Sequence, residues 1–498
     1  PNAAKTRRNK VLDNMLRLGH ITQEEHDAAQ AEELSLNLGS TEMDQQGTYP
    51  FWTNYVKSLL EGDFSQDTIV QSGLKIYTTI DPTWQNAAQD AVTRMLDETN
   101  NSTLDSALVA IDPSNGHIKA MVGGRDFHGD SEDAQVNSAT SGRQAGSSFK
   151  TFGLVEALSQ GMNPDILINC NSPLQITKDW KVRNYGNTSY GTLSLKEATW
   201  RSSNTGYGQV SVAIGPENLV RRAQAMGISG NLEAYASTIL GTQNVSPLEM
   251  AEAYACIANG GTHYDPVAVT KIQDRNGNTV YEHQSQGTQA MDPSVAKAAA
   301  DVLSGVITSR NGTANGLGSL LSIDQPVAGK TGTTEFYDNL WFCGITPQAS
   351  VAVWTGHKSS SSTVRVNGTQ GHPRTTSNKA FAYFVNAILA DTPRAEWPMA
   401  NAADPQYKDN SEWTFSNTSS GTNAKASTAA STSAGGQAAN RGAAASEPSF
   451  GGGDGSTGAP AESPRVPDPT PEPTPATPTT KPEPEGPTPT PEPDGGAE

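Results

Sequence analysis

The sequence predicts an α+β fold: one domain whose sheet is assembled from both ends of its sequence, a small linker domain before it and an unpacked tail after it. Three observations predict it. β-type runs occur at 107–111 and 117–122 and return at 267–272, 340–345 and 350–354. Helical periodicity dominates from about Phe152 to Ala258, so helices separate the two strand groups. Beyond Trp397, Ser, Thr, Ala and Gly prevail to about Gly458 and Pro thereafter, a composition that cannot bury a core.

Each element has a local reason. Val11, Leu12, Met15 and Leu16 recur on one helical face and Gly19 stops that helix. Thr22 with Glu25 three residues on is a capping box, each side chain satisfying the other's free backbone donor, so a second helix follows and the two form a hairpin. Apolar residues between Tyr49 and Leu60 again recur at helical intervals. SGLKIYTTIDPTWQNAAQDAVTRML then predicts a strand, a turn at Asp81-Pro82 and a helix. Pro113-Ser114-Asn115-Gly116 joins the 107–111 and 117–122 runs as a β-hairpin. The expected divisions are 1–45 for the hairpin, 46–104 for the linker, 105–395 for the main domain and 396–498 for the disordered tail. The tail's Pro-rich end favours extended polyproline II, because proline fixes φ and removes donors.

A formal charge of −18 over 498 residues excludes nucleic acid as a partner, since that surface needs clustered Lys and Arg. Cys170, Cys256 and Cys343 lie far apart with no ligand spacing, and are expected as buried small apolar residues rather than disulfide or metal partners. No metal or cofactor motif occurs. No run of eighteen apolar residues marks a membrane span, and no leader pattern precedes the first helix, whose immediate start from Pro1 is how a fragment begins.

Three short motifs carry chemistry. Ser147-Ser148-Phe149-Lys150 places a hydroxyl and an amine on one helical face, so that Lys150 can take the Ser147 proton. Chance supplies about one or two such spacings in a chain this long, and Ser294 with Lys297 is a second. Context separates them: Ser147 follows the flexible stretch NSATSGRQAG and opens an apolar helix, where free backbone donors suit a developing oxyanion. Ser294 follows Asp292-Pro293, the chemistry of a helix start. Ser202-Ser203-Asn204 sits in a break between helical segments, where Ser202 can relay a proton and Asn204 can hydrogen-bond a substrate amide; the plain alternative is a helix cap. Ser229-Gly230-Asn231 has the same form. Lys330-Thr331-Gly332-Thr333 is expected as an edge strand that binds substrate. Its glycine would allow a ligand close to the backbone, Lys330 and Thr333 would hold a carboxylate, and the Thr333 and Ser147 N–H groups would form an oxyanion hole. Ser294 stands too close to Lys330, with no Ser-x-Asn between, to head the set.

With these motifs in order, the chain resembles the class A penicillin-binding proteins over nearly everything from Arg7 to about Trp354. RRNKVLDNMLRLGHITQEE is similar to the last helices of their glycosyltransferase domain and GLKIYTTID to the linker. RQAGSSFKTF is similar to the nucleophile segment, LGTQNVSPLEMAEAYACIANGG to the helix pair before the final strands, and GKTGTTEFYDNLWFCGITPQ to the region around Lys330. Thr151 and Ala145 stand where the family usually or often has Pro. The resemblance implies the penicillin-binding and serine β-lactamase-like fold, an antiparallel sheet with helices plus a helical subdomain. It also implies D,D-transpeptidation of D-Ala-D-Ala stem peptides of peptidoglycan, with acylation by penicillin and other β-lactams and no cofactor. Burial and the charge of Lys330 would keep Lys150 uncharged part of the time. Glycosyltransferase activity is expected only in a full-length parent anchored at the extracytoplasmic face of a bacterial membrane, where division or elongation machinery would be its partner. The alternatives are a D,D-carboxypeptidase or β-lactamase-like hydrolase, and a non-catalytic penicillin-binding sensor.

Overall fold

A computed structural model describes residues 2–32, 47–65, 69 and 72–415 of the chain. The Pro-rich stretch and most of the Ser/Thr/Ala/Gly-rich stretch expected as tail therefore lie outside the described residues.

Helices α1 (Asn2–Arg17) and α2 (Gln23–Ala31) form the expected hairpin. Gly19 turns the chain at φ +66°, and the Thr22–Glu25 capping box closes with N–H to side-chain distances of 2.8 and 3.2 Å. Val11, expected on the apolar face, is exposed, while Leu12, Met15 and Leu16 are half-buried. Helix α3 (Pro50–Asp63) starts on proline, whose fixed φ suits the first turn, and buries Trp52, Val56 and Leu60.

Strand β1 (Lys75–Thr78) leads to α4 (Pro82–Asp97), capped by the Asp81 carboxylate. Strands β2 (Asp105–Ile111) and β3 (Ile118–Val122) are the predicted hairpin. Then come α5 (Lys150–Ser159), α6 (Leu195–Trp200), α7 (Asn204–Ile214), α8 (Pro216–Ala225) and α9 (Pro247–Ala258). Among these helices the structure inserts short strand pairs, Leu167–Asn169 with Thr192–Ser194 and Leu174–Thr177 with Trp180–Val182, where only helices were expected. Runs of three or four residues are too brief to establish a period against a helical background.

Strands β4 (Val269–Gln273) and β5 (Thr279–Glu282) correct a second expectation. The β-run near 267–272 does not join the main sheet but pairs with β1, giving a separate antiparallel sheet in the order β1-β4-β5. The linker region is thus completed by residues nearly two hundred positions later. Helix α10 (Pro293–Thr308), strands β6 (Ala328–Thr333), β7 (Asn339–Ile345) and β8 (Ser350–Gly356), and helix α11 (Ser377–Leu389) complete the domain.

The main sheet is antiparallel in the order β6-β7-β8-β2-β3, so it does draw on both ends of the domain, and β6 is an edge as predicted. Its alternation is legible residue by residue. Leu340, Phe342, Val351, Val353 and Leu108 face α4 and α11, whereas Trp341, Cys343, Ala352, Trp354 and Val109 face α5, α9 and α10. Burial on both faces explains why these strands read as continuous apolar runs. Helix α4, assigned to the linker by position, packs on this sheet with Ala88, Ala91, Val92, Met95 and Leu96. The described first part of the expected tail is packed: Met399 and Phe415 are buried and the Lys408 N–H donates to Gly161 O at 2.8 Å. A few apolar anchors hold that segment despite its polar composition.

Candidate active site

Residues Gly146–Phe149 form a single 3₁₀ turn that feeds α5, placing Ser147 and Lys150 one turn apart with Lys150 Nζ 2.9 Å from Ser147 Oγ. The turn is held by its backbone. Gly146 N–H donates to Gly241 O at 3.1 Å, Ser148 Oγ to Ala145 O at 2.8 Å, and Trp341 Nε1 to Gln144 O at 2.9 Å. A Cβ on Gly241 would lie 2.0 Å from Gly146 O, and one on Gly332 would lie 2.3 Å from Ala145 O, so both positions need glycine. This corrects the expected use of Gly332: what approaches its backbone is the serine turn itself. The backbones of Gly146 and Thr333 are in contact, which brings together the two segments expected to supply the oxyanion hole.

The Ser-Ser-Asn motif divides its labour. Ser203 is the cap of α7, its hydroxyl accepting from Gly206 N at 3.1 Å, which leaves Ser202 and Asn204 for the cleft. Ser202 adopts φ +57°, an uncommon conformation for a residue with a side chain. Lys150 Nζ lies 2.8 Å from Ser202 O, 3.3 Å from Ser202 Oγ and 2.7 Å from Asn204 Oδ1, while Lys330 Nζ donates to Ser202 Oγ at 2.8 Å. Ser202 thus bridges two lysines. Asn204 Nδ2 donates to Arg183 O at 2.9 Å, and the neighbouring Asn184 side chain accepts from Thr205 N at 3.0 Å. Thr331 commits its hydroxyl to Thr313 at 2.6 Å, and Thr333 is half-exposed at the end of β6.

Electrostatics follow from burial. Lys150 and Lys330 are both fully buried, and no carboxylate lies among their hydrogen-bond partners. Burial first, and then the Lys330 charge, hold Lys150 well below the ordinary ammonium range. Burial lowers Lys330 to about 7. A neutral amine at Lys150 fits the geometry: its two hydrogens go to Ser202 O and Asn204 Oδ1, and its lone pair is left for the Ser147 hydroxyl.

The structure therefore brings Ser147, Lys150, Ser202, Asn204 and Lys330 into one cluster and places Gly332 and Thr333 against it. The look-alikes fall elsewhere. Ser294 Oγ donates to Asp292 at 2.6 Å at the start of α10, and Ser229 Oγ donates to Glu249 at 2.8 Å. The three cysteines are free and buried. Gly241, Asn184 and Thr313 were not singled out from sequence. Only Gly241 had a signal, its place in the LGTQ stretch.

Residues 106–367 match the model of the penicillin binding protein transpeptidase domain. The chain belongs to the penicillin-binding protein transpeptidase family. The chain is 32% identical over 385 residues to penicillin-binding protein 1A of Mycolicibacterium smegmatis, covering 72% of this chain and 47% of that protein. It is 28% identical over 368 residues to penicillin-binding protein 2D of Bacillus subtilis, covering 72% and 52%. The chain spans about half the length of the curated relatives it matches. Among solved structures it is similar to PonA1 from Mycobacterium tuberculosis in complex with penicillin V, with a TM-score of 0.62 and 28% identity, over 70% of this chain and 94% of that one.

Proposed function

We propose that this chain is a D,D-transpeptidase that acylates Ser147 with peptidoglycan stem peptides and passes the acyl group to an amine of a neighbouring stem. The observation that carries the proposal is the fully buried Lys150 amine, 2.9 Å from Ser147 Oγ and free of carboxylate partners. Ser147 Oγ attacks the penultimate D-Ala carbonyl as its proton moves to Lys150 Nζ. The Ser147 and Thr333 N–H groups stabilise the oxyanion. The C–N bond then breaks, the proton passes to the departing D-alanine nitrogen with Ser202 as relay, and an ester remains. An acceptor amine attacks that ester, gives its proton to the same base, and the C–O bond breaks to restore Ser147. Asn204 orients the substrate amide, and Lys330 with Thr333 holds the terminal carboxylate.

β-Lactams acylate the same hydroxyl by mimicking the dipeptide; the similar PonA1 is known in complex with penicillin V. That the chain spans about half the length of its penicillin-binding protein relatives supports a longer parent at the extracytoplasmic face of a bacterial membrane, in which other residues would carry the anchor and glycan polymerisation. No helix among the described residues is long and apolar enough to cross a membrane.

The test is acylation by a fluorescent penicillin with the modified peptide mapped by mass. The adduct should fall on Ser147 and persist for many minutes, and the chain given stem peptides in place of the drug should form cross-linked dimer. An adduct on another residue would refute the nucleophile, and rapid hydrolysis with no dimer would favour the hydrolase alternative.

A further inference from the structure

We propose that Tyr254 is a positioning residue for the serine turn, acting with Thr151 through a buried hydrogen-bonded chain. The inference rests on Ser147 being the nucleophile and adds what holds it in place. Tyr254 projects from α9 and is fully buried, as is Thr151 in the first turn of α5. The Tyr254 hydroxyl donates to Ser148 O at 2.8 Å and lies 2.6 Å from Thr151 Oγ1. A phenol has one hydrogen, and it is committed to a carbonyl that can only accept. Thr151 must therefore donate to Tyr254, which fixes the direction of the chain from Thr151 to Tyr254 to Ser148 O. Burial pushes the phenol far above its ordinary range, so the donor persists at every working pH.

Ser148 is the residue after the nucleophile, and its carbonyl sits in the 3₁₀ turn that sets the 2.9 Å Ser147–Lys150 contact. The other ties on that turn are a backbone bond to Gly241, the internal Ser148 bond and the Trp341 indole just before it. Tyr254 adds a tie from α9. Its helix is clamped to the sheet by Ser350 Oγ, which donates to Ala251 O at 2.6 Å, so the turn inherits the rigidity of β8. Thr151 supplies the hydroxyl that completes the chain.

Positioning should appear in the chemical step and not in binding. Stopped-flow acylation by a fluorescent penicillin separates the dissociation constant of the non-covalent complex from the first-order acylation constant. Tyr254→Phe should lower the acylation constant about tenfold, a loss of about one buried hydrogen bond, and leave the dissociation constant within twofold. Thr151→Val should lower it about threefold, and Thr151→Ser, which keeps the hydroxyl, should restore it. An unchanged acylation constant in Tyr254→Phe, or a loss confined to the dissociation constant, would overturn the proposal. If Tyr254→Phe does not fold, the Thr151 pair decides: equal rates for the Val and Ser variants would overturn it. Wild-type chain that took up no label at Ser147 would sink the proposed function instead.

Discussion

Ser147 and Lys150 open α5, and Ser294 and Lys297, at the same spacing, open α10; the two lysines have opposite surroundings. Lys150 Nζ is fully buried among two hydroxyls, a carbonyl and an amide. Lys297 Nζ is partly exposed, 2.8 Å from Asp404 and 3.8 Å from Asp301, and its pKa is raised, chiefly by the Asp404 hydrogen bond. Ser294 spends its hydrogen on Asp292, whereas the Ser147 hydroxyl faces only the amine. A serine and a lysine one turn apart become nucleophile and base only where burial discharges the amine and no carboxylate restores the charge.

That contrast can be broken at several strengths. Lys150→Met should lower penicillin acylation at least about a thousandfold, within the range for losing a general base, whereas Lys297→Met should leave the rate within twofold. A comparable loss in both would mean that Lys150 is only structural. Asn204→Asp imports the Lys297 environment by placing a carboxylate where Oδ1 now lies, 2.7 Å from Lys150 Nζ. It should raise the Lys150 pKa by roughly 1–3 units. The acid limb of the pH–rate profile would then move upward and the rate at pH 7 would fall about a hundredfold; an unmoved limb would dissociate Lys150 from the titration.

Removing the second cation tests the other half of the account. Lys330→Met should raise the Lys150 pKa, because the charge that helps depress it is gone, and shift the acid limb upward. It should also change stability with a definite sign. Lys330 is lowered to about 7 in the folded chain, so the unfolded chain binds more protons between there and about 10.4. The resulting penalty is absent above about 10.4, grows as the pH falls, and is complete below about 7. Lys330→Met should therefore stabilise the chain at pH 7 by up to about 4 kcal/mol, less what the lost hydrogen bonds to Ser202 and Thr331 contribute, and flatten the rise of stability with alkaline pH, measured by urea unfolding. The smallest effect belongs to the look-alike: Asp292→Ala should cost about 1 kcal/mol through the lost cap and leave acylation unchanged.

Much of this was legible beforehand because it is local. The capping box at Thr22, the helix start at Asp292-Pro293, the 107–122 hairpin and the edge strand at Lys330 depend on neighbours in sequence, and the structure places them where expected. The failures share a cause. The partner of β1 lies nearly two hundred residues away, α4 packs on strands beyond its own segment, and Met399 and Phe415 anchor a stretch whose average composition reads as unfolded. Gly332 was given to a ligand because the strand alone cannot show that Ala145 lies against it.

By itself the sequence determined the three motifs and their order, since helical spacing alone sets Lys150 on the face of Ser147. Only the tertiary structure decided which lysine loses its charge, how Ser202 comes to join Lys150 to Lys330, and that Tyr254 reaches the turn. Those depend on desolvation and on contacts between segments 50 to 130 positions apart, and an amine's proton affinity is fixed by the dielectric and charges around it in space, which no stretch of neighbouring residues encodes.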